Sequence, residues 1–135
     1  MYRTIEQMVN DGLGVAPSTK LTIMKGDTVR MTVAFSYRGP AINVTLRCSI
    51  GTRIAGVFNE SCYATKSLSL SQSTDFAAYL AFADIVTTMN PGSDYDIEAK
   101  IQEYTSATLV KYDNVIDVIG AAEFQNFQIT DYSKV

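Results

Sequence analysis

The sequence predicts an all-β fold, a two-sheet antiparallel sandwich of about seven strands, and three observations carry that expectation. The first is the stretch Met89-Asn90-Pro91-Gly92-Ser93-Asp94-Tyr95. Pro91 fixes its own φ and cannot donate to a ladder, while Gly92 tolerates φ > 0, so the pair makes a turn. The second is the run that follows it. Tyr95, Ile97, Ala99 and Ile101 share one face of an extended chain and Asp96, Glu98, Lys100 and Gln102 the other, the period-two pattern of a strand with one wet side. The third is the regular spacing of turn signals along the rest of the chain, which suits an all-β sandwich.

Taken in order, the elements begin with Leu21 to Met24, a short strand ended by Lys25-Gly26-Asp27. Thr28 to Tyr37 is a long strand whose Val29, Met31, Val33, Phe35 and Tyr37 face inward, closed by the turn Arg38-Gly39-Pro40. In the next strand Val44, Leu46, Cys48 and Ile50 alternate with Thr45, Arg47 and Ser49, and Gly51 closes it. Thr52 to Ser61 reads as irregular, because Ile54-Ala55-Gly56-Val57-Phe58 is apolar with a glycine inside, as in a bulge or a self-packed loop. Tyr63 to Ser71 places Leu68 and Leu70 opposite a wet serine face. Phe76 to Val86 is a mostly apolar strand, its alanines notwithstanding. Thr108 to Lys111 and Asn114 to Ile119 read as two halves of a last strand interrupted at Tyr112-Asp113.

Three segments follow from this reading: a leader over residues 1–20, a sandwich over 21–120 and a tail over 121–135. Thr4-Ile5-Glu6-Gln7 has the spacing of a capping box, so the leader is either a short helix or a mobile stretch. The tail carries Phe124, Phe127, Ile129 and Tyr132 on an otherwise polar thread. It is either a strap packed on the same sandwich or an extended docking segment that adds to a neighbour's sheet edge or groove.

The chain has 135 residues, enough to bury a core without staples. With 47% hydrophobic and 19% charged residues it is not a disordered chain. Its net charge of −3, with Lys and Arg scattered singly, excludes a nucleic-acid binder, which needs clustered cations. No apolar run is long enough to span a membrane, and Met1-Tyr2-Arg3-Thr4-Ile5-Glu6 lacks the apolar stretch of a secretion signal. Localisation stays open, with virion-associated and extracellular settings both compatible. Cys48 and Cys62 are either a disulfide or two buried thiols.

The turn Pro91-Gly92-Ser93-Asp94-Tyr95 resembles the tyrosine corner of fibronectin type III and related immunoglobulin-like modules, whose pattern runs Leu-x-Pro-Gly-Ser/Thr-x-Tyr, with Met89 in place of the leucine. The resemblance spans Leu21 to Ile119. It implies that Tyr95 opens the strand called F and turns its hydroxyl back onto upstream backbone. From Lys25-Gly26-Asp27 through Tyr37-Arg38-Gly39-Pro40 to the last strand, the layout is similar to the immunoglobulin-like modules of phage tail, capsid-accessory and bacterial surface proteins. The chain departs from the fibronectin pattern in having no tryptophan.

Chemistry is limited by what the chain lacks. With no histidine, Ser-His-Asp and Cys-His catalysis and histidine metal sites are excluded. No phosphate loop, dinucleotide fingerprint or paired-cysteine metal motif occurs, and no cofactor is expected. Asp94 and Asp96 flank Tyr95 and point away from the core. With Asn90 they are the only calcium candidates, against the plainer reading of a solvated turn. Asp113 and Asp117, four apart, read as same-face surface charges. Tyr2, Tyr37, Tyr63, Tyr79, Tyr104, Tyr112 and Tyr132 are the candidates for a sugar-stacking platform.

The leading expectation is a non-enzymatic structural or interaction module, a phage-virion or surface-assembly component working through self-association or a protein partner. Phe124, Phe127, Ile129 and Tyr132 are its anchors, and Pro91, Gly92 and Tyr95 its structural corner. The alternative is a carbohydrate- or small-ligand-binding sandwich. A hydrolase built on carboxylates alone ranks last, because it needs two acids facing across a cleft.

Overall fold

The computed structural model describes residues 20–120, 122 and 124–135. The leader and its capping-box helix, with Tyr2, lie outside the described residues except for Lys20. Among the described residues seven strands form two sheets: β1 (Leu21–Met24), β2 (Thr28–Gly39), β3 (Ile42–Ile54), β4 (Val57–Leu70), β5 (Ser73–Val86), β6 (Gly92–Ile101) and β7 (Val110–Ile119). One sheet has the order β1-β7-β6-β3-β4, and the other pairs β2 with β5. A 3₁₀ turn over Gln102–Tyr104 and a short helix over Thr105–Thr108 join β6 to β7, so Thr108 belongs to a helix rather than to the last strand.

The expectation of a purely antiparallel sandwich needs correction, because β1 runs parallel to β7, with Leu21 opposite Ile116 and Met24 opposite Ile119. The cause is the turn after β1, which carries the chain to the other sheet after only four residues and leaves β1 a strip along the edge of β7. That turn is clamped by polar groups. Asp27 accepts the Met24 N–H through Oδ2 at 2.8 Å, and Thr87, fully buried, donates its hydroxyl to the Asp27 carbonyl at 2.6 Å. Gly26, at φ of 99°, donates its N–H to the Thr87 carbonyl at 2.8 Å.

The core lies between the sheets. Val44, Leu46, Cys48 and Ile50 of β3 are buried there with Ala99 and Ile101 of β6, Ile116 and Val118 of β7, and Ala81, Ala83 and Ile85 of β5. Val29, Met31, Val33, Phe35 and Tyr37 of β2 pack against them, half-buried. On β5 three of the four alanines turn inward and both phenylalanines outward. Ala77, Tyr79, Ala81, Ala83 and Ile85 face the core, whereas Phe76, Leu80, Phe82 and Val86 face solvent.

The segment read as irregular is a hairpin. β3 and β4 stay paired from Ile42↔Leu70 to Ile54↔Val57, so Gly51 lies inside β3 instead of closing it. The register slips once, between Ile50↔Cys62 and Gly51↔Glu60, leaving Ser61 as a bulge. Ala55 and Gly56 make the two-residue turn at φ of 52° and 80°, the doubly positive conformation of a type I′ turn, which favours Asn-Gly. Ala55→Asn is therefore expected to stabilise the chain by about 1 kcal/mol, read as a higher urea midpoint at unchanged slope. An unmoved midpoint would mean that Ala55 does not hold the left-handed conformation in solution.

β7 is likewise one strand rather than two halves. The extra residues that suggested a break form a bulge opposite Asp96, between the pairs Tyr95↔Ile116 and Ile97↔Tyr112, with Asn114 at φ of 58°.

Candidate functional site

At the corner between the sheets the Tyr95 hydroxyl donates to the Asn90 carbonyl at 2.6 Å, across Pro91 and Gly92. A Cβ on Gly92 would stand 3.3 Å from the Tyr95 ring, so a residue without a side chain lets the ring close over the turn. The two acids flanking Tyr95 do not point the same way, as simple alternation suggests. Asp94, exposed and at φ of 62°, pairs with the Lys20 ammonium and donates its N–H to Asp117 Oδ1 at 2.9 Å. That backbone donor holds the Asp117 carboxyl below the usual range, with Lys20 assisting. Asp96 is buried, because the β7 bulge folds over it. Its Oδ1 accepts the Asn114 N–H at 2.7 Å. The same bulge separates Asp113 from Asp117, and their carboxylates serve different partners, Arg53 and Lys20. Among the described residues no group of three or more His, Cys, Asp and Glu is placed to hold a metal ion.

The outer face of the five-stranded sheet carries a polar basin of about 490 Å³ beside Arg47, Glu60 and Glu98. Glu60 accepts Arg47 Nε at 3.0 Å and the Ser49 hydroxyl at 2.5 Å. The Arg47 guanidinium, with help from Ser49, holds the Glu60 carboxyl below its ordinary value. A glycosidase acid needs the opposite shift, so that it stays protonated until it donates. Glu98 is bound at 3.0 Å by Arg53, which also reaches Asp113 at 3.6 Å and Asp96 at 4.0 Å. The acids of this face are thus paired with guanidinium groups. Sequence reading passed over Glu60 because it falls in the segment taken as irregular.

Between the sheets the two strands β2 and β5 are too narrow to cover five. The part that the described strands leave uncovered is an apolar cleft of about 590 Å³. Val33, Phe35 and Tyr37 of β2 form one wall, and Leu46, Ile101 and Val110 of the larger sheet form the other. Tyr104 and Ala107, both exposed, stand at its mouth. Cys48 and Cys62 are buried free thiols in the core. Burial pushes the Cys48 thiol up to about 11 and also raises Cys62, which keeps both protonated and unreactive near neutral pH. Cys62 Sγ lies 3.4 Å from Met89 Sδ.

Among the described residues, β5 and the tail both present large apolar side chains to solvent. On β5, Arg30 lies 3.9 Å over the Phe82 ring and Arg38 4.4 Å over Phe76, so cations partly roof the row of outward aromatics. In the tail, Phe124, Phe127, Ile129 and Tyr132 are 87%, 95%, 85% and 92% exposed, and no described tail residue joins a strand. The exposed tyrosines Tyr63, Tyr104, Tyr112 and Tyr132 sit on four separate segments of the chain, while Tyr79 stacks on Phe35 and Tyr37 lines the cleft. No protein-family model and no curated protein matches this sequence.

Proposed function

We propose that this chain is a non-enzymatic assembly module, an immunoglobulin-like sandwich that docks onto a protein partner through its C-terminal tail. The observation that carries the reading is the exposure of Phe124, Phe127, Ile129 and Tyr132. Four large apolar side chains on twelve or fewer residues are costly to leave in water unless another surface covers them for part of the protein's life. Support for the immunoglobulin-like class comes from the pairing of β2 with β5, the β7-β6-β3-β4 order and the Tyr95 corner at the start of β6. The guanidinium-bound acids of the polar basin favour a structural role over acid–base chemistry. A virion or surface assembly is the setting in which such a module works.

Removal of Phe124 to Val135 tests the proposal. The shortened chain is expected to unfold at the same temperature as the full chain, because none of the removed anchors is in the core, while its self-association or partner binding is lost. Light scattering and a thermal melt read both. If the shortened chain unfolds, the tail belongs to the sandwich. If association persists unchanged, docking uses another surface.

A further inference from the structure

We infer that the polar basin on the outer face of the five-stranded sheet binds an uncharged oligosaccharide. The inference is separate from tail docking, which uses another part of the chain. Neighbouring strands build the basin: Arg47 of β3 lies opposite Lys100 of β6, and Ser49 opposite Glu98. Like charges placed directly opposite each other weaken strand pairing. Glu60 offsets Arg47, accepting its Nε at 3.0 Å. Half-buried Lys100 has no ion pair among the described residues.

The rest of the lining is held in place. Glu60 takes Nε and Nη2 of Arg47, Gln102 Oε1 takes Nη1 at 3.0 Å, and the Tyr63 ring lies 3.8 Å from the guanidinium. Arg53 binds Oε1 of Glu98 at 3.0 Å. These bonds leave Glu98 Oε2, Lys100 Nζ and Gln102 Nε2 without a hydrogen bond among the described residues. The three residues all line the basin, and they follow one another at every second position, about 7 Å apart in extended chain.

An acceptor set beside two donors selects the ligand. A group of one charge gains at Lys100 what it loses at Glu98, or the reverse. Neighbouring hydroxyls gain at both, because a hydroxyl donates and accepts. The ion pairs fix the surrounding side chains beforehand, so little of their freedom is lost on binding. Phe58 gives the basin an apolar edge for the C–H face of a sugar ring, and a volume of about 490 Å³ suits a small ligand.

The test titrates the full chain, labelled with nitrogen-15, with maltotriose, cellotriose, mannotriose and triacetylchitotriose. Trigalacturonate and triglucosamine are the charged comparators. At least one neutral probe should shift the amide signals of Glu98, Lys100 and Gln102 saturably, and added salt should change its affinity little. Lys100→Met and Gln102→Ala should each weaken that binding by about tenfold, with thermal melts confirming the fold. Should Gln102→Ala unfold, Lys100→Met carries the comparison. Phe127→Ser should bind as the wild type does, which separates the basin from the tail. If no neutral probe shifts these signals at millimolar concentration, the inference falls. Trigalacturonate binding more tightly and losing that advantage in Lys100→Met would reveal an anion site and overturn the uncharged class. Triglucosamine binding more tightly and losing its advantage in Glu98→Gln would do the same for a cation. Wild-type affinity in both Lys100→Met and Gln102→Ala would place the sugar outside the basin.

Discussion

Gly51→Ala is expected to destabilise this chain by about 3 kcal/mol or more, lowering Tm by roughly 10–15 °C at this chain length. Gly51 is buried in the central strand β3, with Glu60 of β4 on one side and Asp96 of β6 on the other. A Cβ there would stand 2.0 Å from the Asn59 carbonyl oxygen. That neighbour is backbone held in the β3–β4 ladder, so it cannot swing aside as a side chain could. The Ser61 bulge brings the β4 backbone over this position, and relieving the clash means opening the bulge. Gly56→Ala is the comparison. Gly56 has φ of 80° and open space around it, so its substitution incurs only the conformational cost of about 1 kcal/mol. Equal effects at the two glycines would show that β4 yields freely and that the close approach does not constrain the fold.

What the sequence made legible is what period-two patterning and turn chemistry encode. The inward face of β2, the alternation of β3 from Val44 to Ile50 and the corner ahead of Tyr95 are local patterns, readable without knowing which strands are neighbours. The seven strands and the two-sheet architecture followed from them. Features that depend on pairing partners were not legible. Gly51 reads as a strand end until the bulge at Ser61 is known, and the Ala55-Gly56 turn lacks the Asn that would announce it. Asp96 reads as wet because alternation assumes a constant register, which the Asn114 bulge breaks. The cleft is more remote still from the sequence. Among the described strands it exists because β1 joins β7 and leaves β2 paired with β5 alone, a choice made by strands far apart along the chain. The tail is the opposite case. Its anchors were visible as residues, but whether they packed on the sandwich or stood in solvent was set by the surface around them.

The buried acid beside the corner provides the second large effect. Asp96→Ala should lower stability by about 2–3 kcal/mol, the range for a hydrogen bond to a charged acceptor whose donor is then stranded. The donor is the Asn114 N–H, 2.7 Å from Asp96 Oδ1, and it lies in a bulge where no ladder carbonyl replaces the lost acceptor. The Arg53 guanidinium, 4.0 Å away, also loses one of its three carboxylate neighbours. Asp96→Asn retains an acceptor oxygen and should recover most of the loss, which separates the hydrogen bond from the charge. Asp94→Ala should hardly move the denaturant midpoint, because that side chain is 51% exposed and pairs only at the surface. The contrast bears on the calcium reading of the same two residues. Ligands of one ion act together, so a calcium site would make both alanine variants lose the same calcium-dependent rise in Tm. With Asp96 tied to the β7 backbone and Asp94 tied to Lys20 and Asp117, calcium should leave the melting curves of the wild type and both variants unchanged. A calcium-dependent rise in the wild type, abolished by either substitution, would return the pair to the metal-binding reading and require the corner to rearrange around the ion.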